Sequence, residues 1–151
     1  MQIELHKLVS ARPLTVFRTI SDVMDWPQIM RSVAAVALLT RGRIRVGTRM
    51  RLTRIIDGLE TTEELAVDMF ERPRRLRLVG EKRGVHYDRD HVIDALHDGS
   101  RLMLIFRDRP ELDSAHVAQD FFTPFKQITL RDELERDLAD LATAAAQFSI
   151  G

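Results

Sequence analysis

The chain has 151 residues, a length typical of one domain with a substantial buried core. Its 23 basic and 23 acidic residues give a formal net charge of zero, so no overall field favours nucleic acid or an anionic membrane, and we expect neither partner. The absence of cysteine excludes disulfides, thiolate metal sites and a cysteine nucleophile. The sequence shows no apolar leader and no apolar run near the roughly 18 residues that cross a bilayer, so it predicts a cytoplasmic protein with no membrane span.

The first forty residues predict a strand, two short helices and a second strand. Residues 2–9 alternate apolar and polar side chains, which is the pattern of a half-buried strand. Pro13 suits the first turn of a helix, because its missing N–H has no helical partner there. Residues 27–32 predict a second helix, capped by Asp25. Residues 33–40 are apolar and predict a strand.

From Thr48 to Arg107 the sequence predicts five strands that share one register. Asp57-Gly58 and Asp98-Gly99 are two-residue hairpin signals, because these residues adopt positive φ at low cost. Arg72-Pro73 and Gly84-Val85 supply the other tight turns. One apolar face then continues through every strand, and a slip of one residue would turn a strand's apolar side chains toward water. That face collects Met50, Leu52, Leu65, Val67, Met69, Leu76, Leu78, Ile93, Leu102, Leu104 and Phe106.

A polar loop over 108–120 and a long C-terminal helix complete the chain. The helix has two candidate start signals, Thr123 before Pro124 and Thr129 followed by Asp132. Its main apolar stripe has helical spacing and consists of Leu130, Leu134, Leu138, Leu141, Ala145 and Phe148. A second stripe, out of phase with the first, consists of Phe121, Phe125 and Ile128. The longer helix, from Thr123, is the preferred interpretation.

The order of elements is therefore strand, two short helices, six strands and a long helix. A lone antiparallel sheet must cover its apolar face, and only the last helix is long enough to do so. We predict an α+β fold in which a curved antiparallel sheet of about seven strands wraps around the C-terminal helix, forming a single domain over residues 1–151.

Five segments spread over almost the whole chain carry a family resemblance. They are ARPLTVF at 11–17, ISDVMDWPQI at 20–29, VGT at 46–48, ERPRRL at 71–76 and the helix at 134–141. In these segments the chain resembles the START-like, Bet v 1-like (SRPBCC) superfamily, in particular its polyketide cyclase/dehydrase-type proteins. The resemblance implies a helix-grip fold with an internal cavity between sheet and helix. It also implies binding of lipids, polyketides, aromatic or other apolar molecules and, in a minority of members, cyclisation or dehydration. No subfamily motif matches, so it implies no catalytic residue here.

The same register places several polar side chains on the inward face of the sheet. They are Arg54, Thr61, Glu63, Lys82, Tyr87, Arg89 and His91. Charges that face an apolar interior need partners or water, and a ligand cavity with a few convergent polar groups supplies them.

The ligand interpretation gives these inward groups separate roles. Arg89 and Tyr87 would hold a carboxylate, carbonyl or phenol oxygen, with Glu63 orienting Arg89 and Gly80 lying opposite Arg89. His91 would carry a proton if its pKa lies near neutral. The alternative is that Glu63 and Arg89 form a structural ion pair beneath the helix.

Three functions of different class remain open. The first is binding of a hydrophobic or amphipathic small molecule in the sheet–helix cavity; the second is a polyketide cyclase/dehydratase-like enzyme using acid–base residues there. The third is an interaction protein with a collapsed cavity. Binding is preferred, by a monomer or homodimer with no cofactor and no metal. The predicted ligand-binding residues are Met50, Leu52, Glu63, Leu65, Val67, Leu78, Tyr87, Arg89, His91, Ile93, Phe106, Leu134 and Leu138.

Two further sets of charged residues lie outside the predicted cavity. Strand alternation sends Asp88, Asp90 and Asp94 outward, where we expect a solvated row. The basic cluster Arg72, Arg74, Arg75 and Arg77 follows a strand end, and either a solvated hairpin or a site for an anionic partner would explain it.

Overall fold

The computed structural model describes residues 1–82, 84–110 and 124–150. Its strands are β1 (Gln2–Val9), β2 (Val33–Leu38), β3 (Arg49–Ile56), β4 (Leu59–Glu71), β5 (Arg75–Lys82), β6 (Val85–Leu96) and β7 (Gly99–Pro110). Its helices are α1 (Pro13–Ser21), α2 (Trp26–Ile29) and α3 (Pro124–Ile150), with a 3-10 helix at Val23–Asp25. The seven strands form one antiparallel sheet in the order β1-β7-β6-β5-β4-β3-β2. This is the predicted helix-grip architecture.

The β3–β4 hairpin has the predicted register. Ile56 pairs with Leu59, and Met50 pairs with Leu65. The turn residues Asp57 and Gly58 have φ values of 51° and 79°. Positive φ at both central positions is what a two-residue turn of the hairpin type requires, so the local signal determined the whole pairing.

The β5–β6 and β6–β7 hairpins each close one residue earlier than predicted. Lys82 pairs with Val85, so Gly80 lies opposite Tyr87 and the predicted Gly80–Arg89 pairing is wrong. Likewise Leu96 pairs with Gly99, so Asp98-Gly99 is not the centre of its turn. In both hairpins the partners shift by two residues. Because side chains alternate with a period of two, every side chain keeps its predicted face.

An irregularity in β4 overturns one predicted core position. The register shifts between Val67 and Met69, so Met69 pairs with Arg77 while Phe70 pairs with the fully buried Leu76. Cross-strand partners share a face, so Phe70, and not Met69, completes the inward set. Phe70 meets Phe17 of α1 edge to face, with ring centroids 5.1 Å apart.

Helix α3 begins at Pro124, as the longer of the two predicted helices required. Its buried residues Leu134, Leu138, Leu141 and Ala145 follow the predicted main stripe, but Phe148, the last predicted member of that stripe, is 59% exposed. The helix packs on α1, β1 and β7. None of the described helices is both long and apolar enough to cross a bilayer.

Two predictions near this helix concern residues that the structure describes only in part. Of the predicted 108–120 loop, the first three residues belong to β7 and the remainder lies outside the described residues. Phe121 lies outside them as well, as do the side chains of Phe125 and Ile128.

Two of the three aspartates in the outer row are not solvated as predicted, whereas the Asp94 side chain is 43% exposed. Asp88 and Asp90 are 3% and 0% exposed. Arg75 donates to Asp90 at 2.6 and 2.9 Å, and Arg107 lies 3.3 Å from it. The long side chains of Arg75 and Arg107 cover the Asp90 carboxylate and remove it from water, an effect that strand alternation alone does not reveal.

Candidate functional site

A cluster of charged and hydroxyl groups, the inner polar cluster, lies between the sheet and α3. It consists of Ser32 before β2, Arg54 on β3, Glu63 on β4, Tyr87 and Arg89 on β6, and Asp137 on α3. Arg54 is 3% exposed and Asp137 is 1% exposed. Apart from His91, the buried inward side chains around the cluster are mostly apolar, so the cluster is a polar group within the hydrophobic core.

Asp137 is the acceptor that joins the two arginines. Its carboxylate accepts from Arg54 Nη1 at 2.9 Å, from Arg89 Nη1 at 3.2 Å and from Ser32 Oγ at 2.6 Å. The same serine oxygen accepts from Arg54 Nη1 at 3.1 Å. The helix is therefore tied to three separate parts of the chain through one carboxylate.

Glu63 holds the other side of Arg54. It accepts from Arg54 Nε at 2.6 Å and from the Tyr87 hydroxyl. Tyr87 stacks on Phe106 with ring centroids 5.4 Å apart. The tyrosine fits because Gly80 has no side chain: a Cβ there would stand 2.6 Å from Tyr87 Oη.

The ionisation states follow from this geometry. Burial would raise the pKa of Glu63, but the charges of Arg89 and Arg54 outweigh it and hold that pKa below its usual value. Burial likewise opposes ionisation of Asp137, and Arg54 and Arg89 again lower the net pKa. Burial and the neighbouring Glu63 raise the pKa of Tyr87, which stays a neutral phenol. At neutral pH the cluster therefore holds two guanidinium groups and two carboxylates, and its charges balance.

Two N–H groups of the cluster lack an acceptor in the part of the chain that the structure describes. Arg54 Nη2 and Arg89 Nε are buried and have no hydrogen-bond partner among the described residues. Buried donors are nearly always satisfied in folded proteins. These two atoms are therefore the points at which the cluster can receive a further oxygen.

His91 is placed inward as predicted but does not titrate near neutral pH. It is 3% exposed, and its Nδ1 lies 3.1 Å from the Leu76 carbonyl oxygen. Burial lowers its pKa to about 4. The condition for a proton carrier at neutral pH, a pKa near 7, is not met.

The structure rearranges the ion pairs that the sequence suggested. Glu63 was expected to orient Arg89, but Glu63 is bonded to Arg54 and Tyr87, while Arg89 pairs with Asp137. Asp137 and Ser32 were missed altogether. Asp137 lies three residues after Leu134 and four before Leu141, within the buried face of the helix. A lone carboxylate in an apolar stripe was the available signal.

The remaining predicted residues divide into polar and apolar ones. Thr61 is exposed, and the Lys82 side chain lies outside the described residues. The apolar candidates are all buried on the inward face or on α3: Met50, Leu52, Leu65, Val67, Leu78, Ile93, Phe106, Leu134 and Leu138. Their contact with a ligand stays a prediction. No three His, Asp or Glu residues of the described chain are grouped closely enough to hold a metal ion.

A seven-stranded antiparallel sheet that wraps around one long C-terminal helix is the helix-grip fold, and solved START and Bet v 1-like structures share it. Solved structures with this fold include a START superfamily protein from Mycobacterium smegmatis, with a TM-score of 0.78, 18% identity and coverage of 97% of this chain and 98% of the other. The ZhuI aromatase/cyclase from Streptomyces sp. R1128 has a TM-score of 0.71 and 21% identity, and the match covers 96% of this chain and 93% of the other. Ara h 8.0201 has a TM-score of 0.76 and 10% identity, and the match covers 97% of this chain and 98% of the other. No protein-family model matches the chain, and no curated protein matches it in sequence. At these identities the similarity establishes the fold.

Proposed function

We propose that the protein binds a hydrophobic or amphipathic small molecule between the sheet and α3. The observation that carries this proposal is a pair of buried donors, Arg54 Nη2 and Arg89 Nε, that have no acceptor among the described residues. An unsatisfied buried donor costs about 1–3 kcal/mol, and an acceptor oxygen on a ligand would offset that cost. The predicted apolar contacts, such as Leu78 and Leu138, would enclose the rest of the molecule.

The use of the same fold by other proteins supports a ligand in this region. The similar structures include two aromatase/cyclases, ZhuI and the two-domain StfQ from the steffimycin biosynthetic pathway. A ligand with an aromatic ring and a polar oxygen is therefore the type we favour here.

The charge balance of the cluster predicts which oxygen this ligand presents. Two guanidinium groups already face two carboxylates, Glu63 and Asp137. An incoming carboxylate would add an uncompensated buried charge, which is costly, whereas a ketone, ester or phenol oxygen would accept the same hydrogen bonds without it. The site should therefore prefer a neutral acceptor to an anion of the same shape.

A matched pair of aromatic probes tests this proposal. Native mass spectrometry of freshly purified protein first looks for a co-purified small molecule. Calorimetry at pH 7 then compares 2-acetylnaphthalene with 2-naphthoate, and we expect the ketone to bind at least about tenfold more tightly, a difference of about 1.4 kcal/mol. If neither probe binds and nothing co-purifies, the proposal is wrong.

Two neighbouring glutamates on β4 provide a variant and its control. Glu63→Gln leaves one guanidinium charge uncompensated, so the preference should reverse toward 2-naphthoate. Glu64→Gln removes an exposed carboxylate that pairs with Arg49 and Arg51, and it should leave the preference unchanged. Equal effects of the two substitutions would remove the inner polar cluster from the binding site.

A further inference from the structure

A cleft that shares no residue with the inner polar cluster opens beside the 3-10 helix. Its volume is about 750 Å³, and ligand sites commonly enclose roughly 300–1,000 Å³. It lies between the 3-10 helix, the loop joining β2 to β3, and the end of β4. Its apolar lining residues are Val23, Met24, Leu38, Ile44 and Phe70.

Five exposed arginines lie on the two loops that border this cleft. The β2–β3 loop carries Arg41, Arg43 and Arg45, and the β4–β5 turn carries Arg72 and Arg74. Arg43 and Arg72 line the cleft directly. Arg45 Nη1 would lie 3.0 Å from a Cβ on Gly42, another lining residue, so it also reaches the rim.

None of these five has a carboxylate within ion-pair distance among the described residues. Adjacent arginines on the strands behave differently. Arg49 and Arg51 pair with Glu64, Arg75 pairs with Asp90, and Arg77 pairs with Asp68.

The structure therefore divides the predicted basic cluster into two groups. Arg75 and Arg77 are structural, whereas Arg72 and Arg74 join the loop arginines around an open cleft. Asp22 and Asp25 line the cleft together with Arg43 and Arg72, and the exposed Glu71 ends β4 beside it. Counted with the three other loop arginines, five positive and three negative charges leave a local excess of two positive charges in a chain of zero net charge. That local excess favours an anion.

We propose that this cleft binds an amphipathic anion, a molecule with an apolar chain or ring and a phosphate or carboxylate group. The apolar part would pack on Leu38, Ile44 and Phe70. The anionic group would accept hydrogen bonds from Arg43 and Arg72, since guanidinium groups match the geometry of phosphate and carboxylate oxygens. Because the arginines are exposed, added salt should weaken the interaction.

Dodecyl phosphate below its micellar concentration is a suitable probe, with binding located by amide chemical shifts of the ¹⁵N-labelled protein. We expect the largest shifts at 42–44 and 72, and binding at least about tenfold weaker for neutral dodecyl maltoside. Shifts centred on the inward residues Leu78 and Leu104, or no binding, would overturn the proposal. Inorganic phosphate alone should bind far more weakly, because it has no apolar part; equal affinity would also overturn it.

Paired variants separate this site from general charge effects. Arg43→Gln with Arg72→Gln should weaken dodecyl phosphate binding at least about tenfold. The control, Arg49→Gln with Arg101→Gln, removes the same charge from arginines that already have carboxylate partners, and should change affinity by less than about twofold. Vesicles of phosphatidylglycerol test the other source of such a headgroup: sedimentation with vesicles, without binding of monomeric dodecyl phosphate, would assign the surface to a membrane and refute a free ligand.

Discussion

Asp137→Ala should destabilise the fold strongly, because it removes the carboxylate that two buried guanidinium groups share. Asp137 accepts from Arg54, Arg89 and Ser32 at 2.9, 3.2 and 2.6 Å, and its side chain is 2% exposed. Without it, Glu63 alone faces two positive charges, and the cluster carries a net charge of +1 in the core.

Removing one partner of a buried ion pair typically costs about 3–5 kcal/mol. A domain of this kind has a total free energy of unfolding of about 5–15 kcal/mol, so the loss is a large part of the whole. At about 2–4 °C per kcal/mol for a chain of this size, the midpoint of thermal unfolding should fall by about 6–20 °C. Urea unfolding at pH 7, followed by far-UV circular dichroism and by Trp26 fluorescence, measures the loss directly.

Asp140→Ala is the matched control, three residues further along the same helix. Asp140 pairs with Arg31, whose side chain is 71% exposed, so that substitution should cost about 1 kcal/mol or less. Replacing both Arg54 and Asp137 with apolar residues should cost less than the sum of the two single changes, because no lone charge remains between them. If Asp137→Ala costs no more than Asp140→Ala, the cluster is not the buried network described above.

Three further substitutions test separate parts of the structure. The pKa of His91 is about 4 in the folded protein and 6.5 in the unfolded chain, so between these pH values only the unfolded chain binds the extra proton. The free energy of unfolding should therefore fall by about 3 kcal/mol as the pH drops from 6.5 to 4. His91→Gln should flatten this part of the stability profile, and an unchanged profile would contradict the assignment. Gly80→Ala should cost about 1–3 kcal/mol in urea unfolding, because the new methyl group displaces the Tyr87 ring; full stability would contradict that contact. Leu138→Asp should prevent folding by placing a charge beneath α3, and a folded monomer on gel filtration and circular dichroism would contradict the packing of this helix.

The sequence predicted which side chains face inward more accurately than it predicted the cross-strand pairs. Asp57-Gly58 determined its hairpin completely, because both residues favour the positive φ of a two-residue turn. At the β5–β6 and β6–β7 turns the predicted central pair of residues lay one position too far along the chain. The cross-strand partners therefore differ by two residues from the prediction, and every side chain keeps its predicted face. Only the bulge beside Met69 reversed a face, since no residue there signals an extra position in the strand.

Four of the six residues of the inner polar cluster were predicted from the sequence, and the other two were missed. Strand alternation determines which way a side chain points, so Arg54, Glu63, Tyr87 and Arg89 were placed inward from sequence. It does not say how far a guanidinium reaches or which helix turn faces it. Asp137 was therefore not predicted as a site residue, although its position between Leu134 and Leu141 puts it on the buried face of the helix.

The arginines of this chain connect both proposals through one physical distinction. Where a carboxylate lies opposite, as Asp137 does for Arg54, the positive charge is already balanced, and a ligand there gains only from the remaining unpaired N–H groups. Where no carboxylate of the described chain lies within ion-pair distance, as for Arg43 and Arg72, the charge itself is available to a partner. The two sites should therefore select opposite ligands, a neutral oxygen inside and an anion at the cleft. Raising the salt concentration should weaken binding of the anion much more than binding of the neutral ligand, because salt screens exposed charges and barely affects hydrogen bonds in a dry interior. Equal salt dependence at both sites would show that the two ligands use the same surface.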